Sequence, residues 1–140
     1  MAILRVRHLM SDKPITVTPD MPMLEARQIM LRERIRHLIV TDGGLVAGML
    51  TDRDIRLNLP SPATSLSVWE MNFLLAKLTV GVVMTRSVLL IDPERPAAEA
   101  ARIMMTHKIG ALPVTEGDRL VGIITESDFV RAAAGADSAA

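Results

Sequence analysis

The chain has 140 residues, sixteen basic and sixteen acidic, and only three aromatic side chains. That charge balance and the scarcity of aromatics argue against a dedicated nucleic-acid binder, which carries a basic face. With no cysteine, disulfides, thiolate metal sites and a thiol nucleophile are excluded. A chain of this length buries roughly two-thirds of the surface its unfolded form exposes, so it needs no covalent staple. Its start, "MAILRVRHLMSDKP", lacks the apolar core and cleavage site of a leader. Its apolar runs fall far short of the roughly twenty residues that span a bilayer. The expectation is a cytoplasmic protein without a membrane partner.

In chain order, "PITVTP" is a short extended segment closed by Pro19, which suits a strand end. Pro22 stands where a helix can begin without losing a hydrogen bond. Leu24, Ile29, Met30 and Leu31 then recur at helical spacing. "HLIVTDGG" and "LVAGMLT" read as a hairpin around an acidic-glycine turn, and a second helix starts at Asp52. Asn58–Thr79 is first Pro/Ser-rich and loop-like. Ser67 followed by Glu70 is a capping box, which predicts a helix running through Leu78. Trp69, Phe73 and Leu74 share a face of that helix. Packing on the chain's own core is the first expectation for them, and a dimer or partner contact the second.

From Val80 the pattern restarts. Shifted by seventy-four positions, Val6–Leu57 lies on Val80–Arg131 without a gap, with sixteen of fifty-two positions identical. Pro19 and Pro93, Pro22 and Pro96, Glu25 and Glu99, Met30 and Met104, and Gly48 and Gly122 all pair this way. "VLLIDP" repeats the first strand, Ala98, Ile103, Met104 and Met105 repeat the helix, and "ALPVTEGD" and "LVGIIT" repeat the hairpin. The expected order of each unit is strand, helix, strand, strand, helix. The division is repeat 1 over 6–57, a connector over 58–79, repeat 2 over 80–131 and a flexible tail over 132–140. The ten methionines are expected chiefly as fillers of irregular core gaps.

"GMLTDRD" and "GIITESD" end the two hairpins. Thr51 with Asp54, and Thr125 with Asp128, can cap the helices they open, and their negative charge suits a helix start. Capping does not require Gly48 and Gly122, which permit a close approach to the backbone. A hydroxyl and free amides at a helix start also suit a phosphate, and a nearby carboxylate suits the vicinal hydroxyls of a ribose. Capping and ligand binding stand equal on the residues alone.

The duplicated unit, the "HLIV" and "ALPV" strands and the paired Gly-x-x-Thr-x-x-Asp endings resemble a tandem pair of cystathionine β-synthase (CBS) domains, a Bateman module. The connector also resembles that of small stand-alone bacterial CBS pairs, including acetoin-utilisation-type ones. The resemblance implies an α/β fold in which two strand-helix-strand-strand-helix repeats pack as one pseudo-twofold unit with a connecting helix. It implies adenosine ligands, namely AMP, ADP, ATP, S-adenosylmethionine or a dinucleotide, in clefts between the repeats. Carried over by position, Ile15, Ile35, Arg36 and His37 would join Thr125 and Asp128 in one cleft. Leu89, Ile109, Gly110 and Ala111 would join Thr51 and Asp54 in the other. Arg36 and His37 suit phosphate whereas Gly110 and Ala111 offer no such group. The first cleft is therefore expected to prefer the more phosphorylated ligand, with Arg53 partly compensating in the second.

No nucleophile elbow, phosphate-binding Gly-Lys loop or His-Glu-x-x-His stretch occurs, which argues against an enzyme. No helix-turn-helix segment is left over once the repeats are assigned. The expected function is a non-catalytic regulatory module that binds an adenosine nucleotide and signals by conformational or dimer change. Its partners would be a second copy in a homodimer and an unidentified protein effector. The alternative is a ligand-free structural or dimerisation module whose Thr/Asp motifs only cap helices.

Overall fold

The computed structural model describes residues 3–61 and 65–138. The chain divides into two packed units, one made of Ile15–Val88 and the other of Met1–Pro14 with Leu89–Ala140. Their boundaries do not coincide with those of the sequence repeats. Each repeat contributes its opening helical turn to the core of the other unit.

In the unit Ile15–Val88, β1 (Thr16–Val17) pairs parallel with β2 (His37–Asp42), which pairs antiparallel with β3 (Leu45–Thr51). The tight β2–β3 turn is possible because Gly43 and Gly44 take φ of 60° and 83°, a region closed to most side chains. Helix α2 (Met23–Glu33) covers this sheet through Met23, Ala26 and Met30. Its Leu31, at the same helical spacing, is exposed. Pro22 is the N-cap, one residue before the position expected for it. Ile55 of α3 (Asp52–Leu57) joins the core with Val17, Leu38, Val40 and Leu50. The connector supplies α4 (Val68–Leu75) and the second repeat opens with α5 (Val80–Val83), whose Val80 is fully buried in this same core. The end of the connector is tied to the start of α2 by Met23 N–H to the Leu78 carbonyl (3.0 Å) and Val80 N–H to the Met21 carbonyl (2.8 Å).

In the other unit, Val6 of α1 (Val6–Leu9) takes the place of Val80. It packs with Ile91, with Ala100 and Met104 of α6 (Ala97–His107), and with Leu112, Val114 and Ile124 of the antiparallel pair β4 (Ala111–Glu116) and β5 (Arg119–Thr125). Val6 N–H donates to the Arg95 carbonyl and Ala97 N–H to the Leu4 carbonyl, at 2.9 and 2.8 Å. Both hairpins carry a register shift at the matching place, Val40/Thr41 and Val114/Thr115.

The structure corrects three expectations. "VLLIDP" forms no strand; only Ile91 bridges to Val114. Pro113 stands where the first repeat has Ile39 and has no N–H to give to a ladder, so Leu89 and Leu90 remain outside the sheet and partly exposed. The connector helix ends at Leu75 rather than Leu78, and it does not lay its aromatic face on the core: Trp69 is 84% and Phe73 62% exposed. Helix α7 runs over Glu126–Ser138, through most of the stretch expected to be a tail; residues 139–140 of that stretch, and connector residues 62–64, lie outside the described residues. The buried methionines 23, 30, 49, 84 and 104 do fill core positions, as a flexible thioether can.

Candidate functional site

The two Gly-x-x-Thr-x-x-Asp segments lie at the β3–α3 and β5–α7 junctions. At the first, Asp54 N–H donates to Thr51 Oγ1 at 3.1 Å and Thr51 N–H donates to Asp54 Oδ2 at 2.9 Å. This reciprocal capping box satisfies two backbone donors that a helix start leaves open. The Thr85 hydroxyl lies 3.4 Å from Asp54 Oδ1, a long contact that leaves this oxygen with spare acceptor capacity.

The second junction is built differently. Thr125 N–H and the Thr125 hydroxyl both donate to Asp128 Oδ2, at 2.7 and 3.2 Å. Asp128 Oδ1 accepts from Arg131 Nη2 at 2.5 Å. The Asp128 side chain is only 6% exposed, while that of Arg131 is 72% exposed. The position matching Arg131 in the first repeat is Leu57. The two carboxylates thus differ: Asp128 Oδ1 accepts from a guanidinium, whereas Asp54 accepts from the Thr51 amide and, over a longer distance, from the Thr85 hydroxyl. The sequence showed the Thr/Asp motif but gave no weight to Arg131, although its spacing of three from Asp128 on a helix is a recognisable pairing distance.

The glycines have a different explanation from a ligand's approach. A Cβ on Gly48 would lie 2.7 Å from both the Thr85 carbonyl oxygen and the Met84 sulfur. A Cβ on Gly122 would lie 2.6 Å from the Ser11 carbonyl oxygen and 2.8 Å from the Met10 sulfur. The close neighbour is the chain itself. Met49 and Thr85 exchange backbone hydrogen bonds at 2.9 Å in both directions, and Ser11 and Ile123 do so at 2.9 and 3.0 Å. The recurrence of Met10 and Met84 follows from the same contact: each methionine packs over the glycine of one hairpin.

Of the predicted site residues, Ile15, Ile35, Arg36, His37, Thr51 and Asp54 fall in the unit Ile15–Val88. Within it His37 pairs with Thr51 across the hairpin, and Asp52 N–H donates to the Arg36 carbonyl at 3.0 Å. Leu89, Ile109, Gly110, Ala111, Thr125 and Asp128 fall in the other unit. There Ala111 pairs with Thr125, and Glu126 N–H donates to the Gly110 carbonyl at 3.0 Å. In both units, therefore, the start of one strand and the Thr/Asp helix start are neighbours. Among the described residues no group of three His, Asp or Glu is placed to hold a metal ion, no helix is long and apolar enough to cross a membrane, and no buried side-chain polar atom lacks a hydrogen bond.

The CBS domain family model matches residues 6–61 and 80–135. The chain is 30% identical to a Vibrio cholerae protein described as acetoin utilization protein AcuB, whose crystal structure superposes with a TM-score of 0.81 over 98% of this chain and 95% of that one. It is 29% identical to the CBS domain pair of protein MJ0100, solved with 5-methylthioadenosine and S-adenosylmethionine, with a TM-score of 0.78 over 96% and 98% of the two chains. It is 26% identical to CBSX2, solved with AMP, with a TM-score of 0.78 over 94% and 97%. CBS domain pairs are generally regulatory modules. A duplicated strand-and-helix unit, matched along most of its length by the family model and by these pairs, makes this chain a member of the CBS domain family.

Proposed function

We propose that the chain is a non-catalytic regulatory module that binds an adenosine nucleotide through its two Thr/Asp helix starts and signals through conformational or dimer change. The observation that carries this reading is the carboxylate held at the head of a helix in both repeats, Asp54 and Asp128, in a fold whose relatives have been solved with AMP and with S-adenosylmethionine. A fixed carboxylate can accept both hydroxyls of a ribose, and such charge-assisted bonds contribute roughly 1.5–3 kcal/mol each. The strand-start residues expected to complete each set come from the opposite repeat: Ile15, Ile35, Arg36 and His37 for Thr125 and Asp128, and Leu89, Ile109, Gly110 and Ala111 for Thr51 and Asp54.

The two sets are not equivalent. Asp54 keeps acceptor capacity at Oδ1, so a ribose can bind there without displacing a cation. At Asp128 a ribose must compete with Arg131. A phosphorylated ligand offsets that competition, because its phosphate takes up the released guanidinium. This supports a preference of the Asp128 set for the more phosphorylated ligand.

Capping alone is the second reading, and the hydrogen bonds of Thr51 with Asp54 favour it directly. Thermal unfolding with AMP, ADP, ATP, S-adenosylmethionine, NAD and cyclic di-AMP separates the two. A ligand at a hundredfold its Kd adds about 2.7 kcal/mol. Nucleotide binding predicts a shift with one of them, reduced in Asp54→Asn or Asp128→Asn. No shift with any at millimolar concentration, or a shift unchanged in the double variant, returns the motifs to helix caps.

A further inference from the structure

Because the opening turn of the second repeat enters the core of the first, the residue after Met84 comes to lie beside the first Thr/Asp motif. Met49 N–H donates to the Thr85 carbonyl and Thr85 N–H to the Met49 carbonyl, both at 2.9 Å. Gly48 leaves room for this approach, since a Cβ there would stand 2.7 Å from the Thr85 carbonyl oxygen. The backbone therefore fixes where the Thr85 side chain stands. Thr85 is exposed, and its hydroxyl lies 3.4 and 3.5 Å from the two oxygens of Asp54. A good O–H···O bond runs at about 2.7–2.8 Å. Donor and carboxylate are thus held side by side, yet too far apart to satisfy one another well.

We infer that Thr85 is a specificity residue of the Asp54 set, donating to the same ribose hydroxyl from which Asp54 accepts. The inference rests on the nucleotide reading above and adds a residue that no sequence motif marks. Hydrogen-bond capacity selects the ligand group. A carboxylate only accepts, while the threonine hydroxyl beside it has a proton to give. A group seated about 2.8 Å from both must donate to the one and accept from the other. A ribose hydroxyl does both, whereas an ammonium cannot accept and a deoxy carbon does neither. Asp54 and Thr85 come from different repeats but belong to the same unit, Ile15–Val88, so this pair is complete within it. The other unit is arranged differently. Ser11 matches Thr85 and exchanges the same backbone bonds, with Ile123, but Asp128 Oδ1 accepts from Arg131 instead. Reading of a hydroxyl by a carboxylate and a threonine together therefore belongs to the Asp54 set.

The test titrates the full chain by calorimetry with adenosine, 2′-deoxyadenosine and 3′-deoxyadenosine. The Asp54 component of each titration is the one that Asp54→Asn removes. Thr85→Val keeps the shape and the backbone bonds of an exposed residue, so the fold should survive, which melting checks. It should weaken adenosine by about three- to tenfold, the worth of one neutral hydrogen bond. Binding of the deoxynucleoside that lacks the shared hydroxyl should not change, so the preference for adenosine over it collapses. Thr85→Ser keeps the donor and should keep the preference. An equal loss for all three nucleosides marks a merely structural role and overturns the inference, as does an adenosine preference that Thr85→Val leaves unchanged or that Thr85→Ser fails to keep. Absence of binding by the wild-type chain to all three at millimolar concentration is a separate result: it removes the nucleotide reading and this assignment with it, whereas binding with an unaltered preference removes the assignment alone.

Discussion

Gly122→Ala tests the structural role assigned to the glycine that precedes each Thr/Asp motif. The added Cβ would stand 2.6 Å from the Ser11 carbonyl oxygen and 2.8 Å from the Met10 sulfur. The methionine can swing aside, but the carbonyl cannot move without loosening the paired bonds between Ser11 and Ile123, 2.9 and 3.0 Å long. Overpacking of this kind costs about 1–3 kcal/mol, and each weakened backbone bond adds up to about 1 kcal/mol. The expected loss is about 2–4 kcal/mol, read as a lower urea midpoint at unchanged slope. Met10→Ala in the same chain should recover only part of it, because the carbonyl clash remains. Gly135 lies in α7 with nothing within 4 Å of its would-be Cβ, so Gly135→Ala should stabilise by about 0.5–1 kcal/mol. If Gly122→Ala lies within 0.5 kcal/mol of wild type on the scale of ordinary surface changes, the close backbone approach does not explain this glycine.

Further outcomes follow from the same contacts. Lys108 closes α6 in the left-handed region at φ 54°, so Lys108→Gly should raise stability by somewhat less than about 1 kcal/mol in thermal unfolding. The Thr18 hydroxyl holds the exposed Asp20 carboxyl below the usual aspartate range. A folded pKa below the unfolded one stabilises above the unfolded value and loses that effect as pH falls through the folded value. A carboxyl titration by NMR should therefore place Asp20 low in the wild type and closer to an ordinary aspartate in Thr18→Val. In calorimetric titrations, Arg131→Leu should favour adenosine relative to ATP at the Asp128 set, since the competing guanidinium is gone. An unchanged adenosine-to-ATP ratio in that variant would remove Arg131 from the reading of the site.

Much of the local structure was legible in the chain order of residues. The seventy-four-residue repeat, the Gly43–Gly44 turn, the Ser67–Glu70 box and the Thr51–Asp54 cap all depend on partners a few residues apart, where spacing alone sets the geometry. The candidate carboxylates were legible for the same reason, and their family likeness identified the fold. What tertiary structure decided involves partners distant in sequence. Val6 and Val80 enter the cores of opposite repeats, and nothing in the identical valines says which core receives them. Gly48 and Gly122 face the backbones of Thr85 and Ser11, so a feature that read equally well as room for a ligand is room for the chain. Pro113 reduced an expected strand to one bridge because a missing N–H matters only once a neighbour needs it. The connector's apolar stripe turned outward. Periodicity shows that a helix has an apolar face, but only the positions of the other elements decide whether that face meets the chain's own core.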